Sequence, residues 1–475
     1  MASHTFHLSA VDQNTARVYT PALLVFPFPD MSQEEVAIAA LSKGLQTTIR
    51  KFPWLAGTLG PVDPTTGKLP FTYPHQVPEV QSAGLFRTKA LTRPEYPHTY
   101  KSLKRNGMPP SALKGDMFCP EVLRRPLRRP EFDGIPSAGE GMVSFDGLQA
   151  PAMATQVFFI PGGLVLSIYV HHTLSDCSGV NYFWKHYAQS VRETLGNDSH
   201  SMEKIPDQSA LRAELDARIP HVAPGHIPAV DAYINGTYEY TKTLPDDTAC
   251  SQRLFIIPAS RIRSFREELK PFFPYYSPTI CNVISALVWI HVTRARVARL
   301  LKSGNDEVLD QETNLGIAMD LRKKLSPPLG EEYMGNMANF AKSTLNIADL
   351  VSEDSVTKET IIPAIRRIRE AISKTDNDCA PSASGSVWTL YITSWMNFGA
   401  EHEWNIPGTT WGMPEFIRRV YNPSDGGMMI LPRRRNSPDG VEAPYEVMVR
   451  LAGVDMDTLL SEPGGLASWA DRVLD

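Results

Sequence analysis

Nowhere in its 475 residues does the chain contain a G-x-S-x-G elbow, a G-x-x-x-x-G-K-[ST] loop, a G-x-G-x-x-G turn or a C-x-x-C pair. These absences exclude the exposed nucleophilic serine of a hydrolase elbow, a phosphate-cradling loop, a dinucleotide fingerprint and a paired-cysteine zinc or redox centre. Cysteine is scarce: Cys119, Cys177, Cys250, Cys281 and Cys379 are scattered and odd in number. That pattern gives no disulfide framework and fits a reducing compartment. Positive charge is not in excess, with 47 Lys and Arg against 52 Asp and Glu and a net charge of -5. A nucleic-acid partner, which needs a basic face, is therefore not expected. The one basic cluster, "RRPLRRP" from Arg124 to Pro130, is proline-broken and reads as a solvated loop. No apolar run approaches the roughly 20 residues of a membrane helix, and "MASHTFHLSAVDQ" lacks the charged-then-apolar order of a signal peptide. The expectation is a cytosolic protein with no membrane partner. The sequons at Asn197 and Asn235 are then chance matches.

What is present is ordinary globular composition, 42% hydrophobic and 21% charged, in a chain long enough for two domains. After a first strand in "ARVYTPALLVFPF", Val36, Ala40, Leu41, Leu45, Ile49 and Phe52 recur at helical spacing. Ser32 and Glu35 would open that helix as a capping box, and Pro53 would end it. Residues 60 to 150 read as strands joined by long loops. Val180, Phe183, Trp184, Tyr187, Val191 and Leu195 form a second helical stripe, stopped by Gly196. The stretch from about 206 to 250 loses its apolar period and reads as a crossover linker. It separates an N-terminal domain, residues 1–205, from a C-terminal domain, 251–475. The latter holds a long helix in "SPTICNVISALVWIHVTRARVARL" and strands in "RLFIIP", "LGIAMDLR" and "GGMMILPRR". Strands and helices mixed in both halves indicate α/β layers.

The chemistry-bearing stretch is "LVLSIYVHHTLSDCSG", residues 164 to 179. Alternation of apolar residues makes it a strand, and "MATQVFFI" with the turn at Pro161, Gly162 and Gly163 makes a β-hairpin. Continued alternation puts His172 and His171 on opposite faces. They cannot both ligate one ion, so only His172 and Asp176 could contribute, and no metal site is expected. Cys177 reads as a small buried residue of the following helical turn rather than a nucleophile. His172, at the end of a rigid strand, reads either as a satisfied core histidine, the commoner role of a single His, or as a lone general base, since an imidazole with an ordinary pKa of about 6.5 is neutral at cytosolic pH.

"HHTLSD" matches the H-H-x-x-x-D signature of the BAHD acyltransferases, and the chain resembles most their fungal relatives of the trichothecene acetyltransferase type. Further landmarks follow in family order: "LSAVDQ", "FPWLAGTL", "FIPGGLVLSIYVHH", "ALVWIHVTRAR", "DLRKKLSPPL" with "YMGN", "TSW" and "WGMPEFIRR". The resemblance implies an α/β fold of two similar chloramphenicol-acetyltransferase-like domains with mixed sheets and an active-site channel at their interface. It implies an acyl-CoA co-substrate, a small-molecule alcohol acceptor, a monomer, and no permanently bound cofactor. His172 would be the base. Asp176 would turn away from the reacting atoms and pair with Arg322. Thr393 and Trp395 would donate to the developing oxyanion. The chain departs from the family pattern twice. The glycine expected directly after the aspartate is displaced to Gly179, and the usual D-F-G-W-G is reduced to "GTTWG", where Trp411 and Gly412 keep its end. The expected activity is O-acylation of a specialised metabolite. The alternatives are a stand-alone condensation-type catalyst fed by a carrier-protein thioester, an N-acyltransferase, or a non-catalytic binder on the same fold.

Overall fold

Alternating and wholly apolar runs become sheet, and the two helical stripes become helices that cover it. The computed structural model describes residues 2–124, 149–196, 205–218, 244, 248–351, 355–374, 390–422, 424–437 and 439–475. Most of the Arg124–Pro130 cluster, both sequons, Cys379 and much of the expected linker lie outside the described residues.

The chain divides into two compact units. The first is Met1–His221 with Pro327–Met337 and Phe398–Asn422; the second is Val222–Ser326 with Ala338–Asn397 and Pro423–Asp475. A single boundary between 205 and 251 does not describe this, because two pieces from the second half of the chain belong to the first unit.

In the first unit, β1 (Tyr19–Pro27), β2 (Phe86–Ala90), β3 (Met153–Ile160) and β4 (Gly163–His171) join Phe416–Arg418 in a mixed sheet. The spatial order is Phe416–Arg418, β1, β4, β3, β2, antiparallel except for the β2–β3 pair. β3 and β4 form the expected hairpin. Ile160 pairs with Gly163, leaving Pro161 and Gly162 as the turn, with Gly162 at φ +78° where an L side chain is disfavoured. α1 (Glu34–Lys51) and α2 (Cys177–Thr194) pack on each other so closely that a Cβ on Gly44 would lie 2.6 Å from Val191. The expected stripes face inward, except that Val36 is 48% exposed and Leu195, at the end of the second stripe, is partly exposed. The predicted Ser32/Glu35 box does not form. A 3₁₀ turn, Met31–Gln33, precedes α1, and Asp30 caps it by accepting from Ser32 N. Residues 60–150, expected as strands and loops, also contain the short helices Tyr100–Arg105, Gly115–Phe118 and Glu121–Arg124. The linker region carries α3 (Gln208–Arg218), a helix of this unit.

In the second unit, α4 (Ile280–Lys302) is held by a reciprocal Thr279–Asn282 capping box. It is long and apolar enough by length and composition to cross a membrane, contrary to the expectation that no such run exists. Its most apolar stretch is 83% buried inside the protein, the ordinary position of a core helix. The strands are β5 (Cys250–Ile257), β6 (Glu312–Asp320), β7 (Ala338–Asn346), β8 (Leu390–Ser394), β9 (Gly427–Ile430), β10 (Tyr445–Ala452) and β11 (Arg472–Leu474). Their order is β7-β6-β8-β9-β10-β5-β11, with β8 parallel to both neighbours and the other pairs antiparallel.

Candidate active site

The strand alternation that predicts the His pair stops one residue early. His171 is the last residue of β4, paired with Tyr19, and His172 opens a 3₁₀ turn, His172–Leu174. The two rings nevertheless part company. His171 is fully buried, edge-on to the Tyr19 ring at 5.0 Å, and its Nδ1 accepts from Thr173 N at 3.3 Å. Burial, together with the charges of His172 and Arg17, pushes its pKa down to about 3, so it is a neutral structural group. His172 is only partly buried, and its backbone N donates to Val18 O at 2.7 Å.

The environment of His172 sets its tautomer. Its Nδ1 lies 3.2 Å from Asn336 Oδ1. The Asn336 amide cannot be turned the other way, because its Nδ2 faces three oxygens: Asp12 Oδ1 at 2.8 Å, His172 O at 2.9 Å and Thr173 O at 3.2 Å. Nδ1 thus faces an acceptor, Asn336 Oδ1, and carries the proton. Nε2 keeps its lone pair, which is what a base needs. Desolvation lowers the pKa of this ring, opposed by its own carbonyl, the Asp176 charge and the Asn336 bond, with Arg419 lowering it further.

Asp176 is buried and caps α2. Its Oδ1 accepts from Gly179 N at 3.0 Å, and its Oδ2 accepts from Met337 N at 2.8 Å. These bonds tie the helix start to the Pro327–Met337 segment. Gly179 is what allows the approach, since a Cβ there would lie 2.3 Å from Met334 O and 2.4 Å from Ser175 Oγ. The displaced glycine of the motif therefore has a steric reason. Cys177, expected to be buried, is partly exposed at the first position of α2.

The remaining expected residues stand in the second unit or in the Phe398–Asn422 segment. Arg322, buried just past the end of β6, has Nη1 3.0 Å from Asp320 Oδ1. Thr393 lies in β8, in register with Met429, and Trp395 follows the strand, 4% exposed, with its backbone N on Ile430 O at 2.8 Å. Arg322 and the Thr393–Trp395 pair thus lie at the same end of the second unit's sheet. Trp411, expected as a structural support, is 48% exposed. The buried indole of its segment is Trp404, edge-on to Tyr187 at 4.9 Å. Gly412 lies against the same segment: its carbonyl accepts from Trp404 N and Asn405 N, and a Cβ there would lie 2.0 Å from Asn405 Oδ1. Among the described residues no group of three or more His, Cys, Asp or Glu is placed to hold a metal ion.

Three residues around His172 were not singled out from the sequence: Asn336, Asp12 and Arg212. The first two lie in "YMGN" and "LSAVDQ", strings read only as landmarks, and Arg212 lies in the stretch read as linker.

A mixed α/β fold with a half-buried imidazole just past a strand end is compatible with a group-transfer enzyme. The chain belongs to the Transferase family, whose model it matches over residues 140–463, more than half its length. It also matches the trichothecene 3-O-acetyltransferase-like N-terminal domain over residues 18–189. Acyltransferase easC of Emericella nidulans is 24% identical, over 94% of this chain and 92% of that one. Trichothecene 3-O-acetyltransferase TRI101 of Fusarium sporotrichioides is 22% identical over the same shares. The crystal structure of F. graminearum TRI101 complexed with coenzyme A and deoxynivalenol superposes with a TM-score of 0.72 at 19% identity, over 99% of both chains. The fold is the one seen in that structure, and the chain is an acyltransferase.

Proposed function

We propose that this acyltransferase moves an acetyl or other short acyl group from acyl-CoA to a hydroxyl of a small specialised metabolite, with His172 as general base. The observation that carries the reading is the fixed tautomer: Asn336 Oδ1 at Nδ1 leaves Nε2 as the proton acceptor. Nε2 takes the hydroxyl proton as that oxygen attacks the thioester carbonyl. A C–O bond forms and the C–S bond breaks, and the proton held on Nε2 passes to the departing thiolate. Thr393 and Trp395 are the proposed donors to the oxyanion, a role supported by their place in the "TSW" string. The reading extends to a monomer in the cytosol; the compartment is supported by Cys119, Cys177, Cys250 and Cys281, which form no disulfide among the described residues. Incubation with acetyl-CoA and a panel of alcohols and amines, followed by free-thiol release, tests the activity. Alcohol-dependent thiol release that is lost in His172→Ala is the expected result. Turnover with amines alone, or only with a carrier-protein thioester, overturns the assignment of acceptor or donor.

A further inference from the structure

An amide side chain can turn over by 180° at almost no steric cost, and here the consequence would be chemical. With Asn336 turned over, its Nδ2 would face Nδ1 of His172, the imidazole proton would have to sit on Nε2, and the lone pair would be gone. Of the three oxygens that hold the amide in place, two are carbonyls of the motif turn itself, His172 O and Thr173 O, and they move with the ring. The third comes from outside that turn. Asp12 Oδ1 accepts from both the backbone N of Asn336, at 2.9 Å, and its Nδ2, at 2.8 Å. A carboxylate can only accept, so it admits the N–H end of the amide and repels the carbonyl end.

Asp12 is itself fixed. It is fully buried, and its Oδ2 accepts from Arg212 Nε at 2.8 Å and from Ser9 N at 3.1 Å. The equally buried Arg212 guanidinium spends a second arm on Leu174 O, at 2.6 Å, two residues past His172. We infer that Asp12, clamped by Arg212 of α3, is a positioning residue for the base: its carboxylate locks the Asn336 amide in the orientation that keeps the His172 proton on Nδ1. The helix that bears Arg212 is then a working part of the catalytic unit. This inference rests on the reading of His172 as the base.

The test is Asp12→Asn, which preserves size and removes the charge. With ¹⁵N-labelled histidine, long-range ¹H–¹⁵N correlations report which ring nitrogen bears the proton, and loss of one set of signals in His172→Gln assigns them. Wild type should show the Nδ1–H form. Asp12→Asn should show a substantial Nε2–H fraction, with kcat lower by about 10- to 100-fold and KM for both substrates nearly unchanged, the range found when a partner that orients a functional imidazole is removed. Arg212→Lys, which keeps the cation, should retain the Nδ1–H form better than Arg212→Gln, and this pair decides the matter should Asp12→Asn not fold. A pure Nδ1–H form in the folded variants overturns the inference, whatever their activity. The tautomer is read without turnover, so an active His172→Ala enzyme would sink the base assignment separately from the clamp.

Discussion

Two strand ends, one in each unit, carry the residues to which roles are proposed, and they are held in opposite ways. The end of β4 is held by side chains from distant parts of the chain: Asn336 is 164 residues from His172, Asp12 is 324 residues from Asn336, and Arg212 binds Leu174 O from α3. The end of β8 is held by backbone. Thr393 and Ser394 sit in register with Met429 and Ile430, and Trp395 N bonds Ile430 O. A ladder of backbone bonds does not depend on which side chains it carries, whereas a polar network fails when one member changes. Substitutions at the end of β4 should therefore disturb structure and chemistry together, while those at the end of β8 should disturb mainly chemistry.

The largest effect expected is at His172 itself, whose Nδ1–H faces Asn336 Oδ1. His172→Ala should lower kcat/KM by about 10² to 10⁴, with a melting temperature lower by a few degrees because Asn336 Oδ1 loses its ring partner. In the wild-type enzyme the acid limb of kcat/KM should fall below the ordinary histidine pKa of about 6.5, because burial lowers the pKa and the neutral form persists further into acid. An acid limb well above 6.5 would mean that the base is another group or that the ring is more solvated than its surroundings imply.

Next is Trp395→Phe, which removes an N–H and keeps an aromatic ring. Loss of one oxyanion donor costs roughly 3 kcal/mol, about a hundredfold in kcat. The backbone-held strand end should keep the fall in melting temperature small, limited to the cavity left by the smaller ring at a 4% exposed position. A rise in donor KM alone would make Trp395 a wall of the binding site, and a large fall in melting temperature would break the contrast between the two strand ends.

Asp176→Asn sharpens the other side of that contrast. The carboxylate accepts from two backbone amides, at Gly179 and Met337. An asparagine can offer its oxygen to one of them only and turns a donor toward the other. The loss should be about 2 kcal/mol, typical of a hydrogen bond to a charged group, seen as a melting temperature lower by a few degrees with a smaller loss of kcat. An unchanged melting temperature with a large loss of kcat would move Asp176 from holding the turn into the chemistry.

The legible parts of this site were those written in consecutive residues. The β3–β4 hairpin and the His pair could be read because alternation and a Pro-Gly turn are local signals. α3 was missed for a physical reason: its buried face is Gln208, Arg212 and Leu215, helical in spacing but polar in two places of three. A search for apolar periodicity passes over such a helix, because a guanidinium is buried only when an ion pair and carbonyls meet it, and those partners lie elsewhere in the chain. The same limit explains Trp404 and Trp411. Motif spacing favours Trp411, yet Trp404 is the one that meets Tyr187 in the core.

The smallest effect expected separates the neighbouring histidines by pH. Burial holds His171 neutral in the folded protein down to about pH 3, whereas in the unfolded chain it takes up a proton near pH 6.5. Between those values the unfolded state binds more protons, so this residue's contribution to stability falls as pH drops from 6.5 toward 3, and it is constant above 6.5. His171→Gln keeps an acceptor for Thr173 N but cannot titrate. It should be less stable than wild type at pH 7.5, having lost the ring packed on Tyr19. The gap in urea midpoint between the two proteins should narrow steadily as pH is lowered to 4, because only wild type carries the buried imidazole penalty. A gap that stays constant from pH 7.5 to 4 would mean that the folded protein protonates His171 as readily as the unfolded chain does, and the division of labour between the two rings would have to be redrawn.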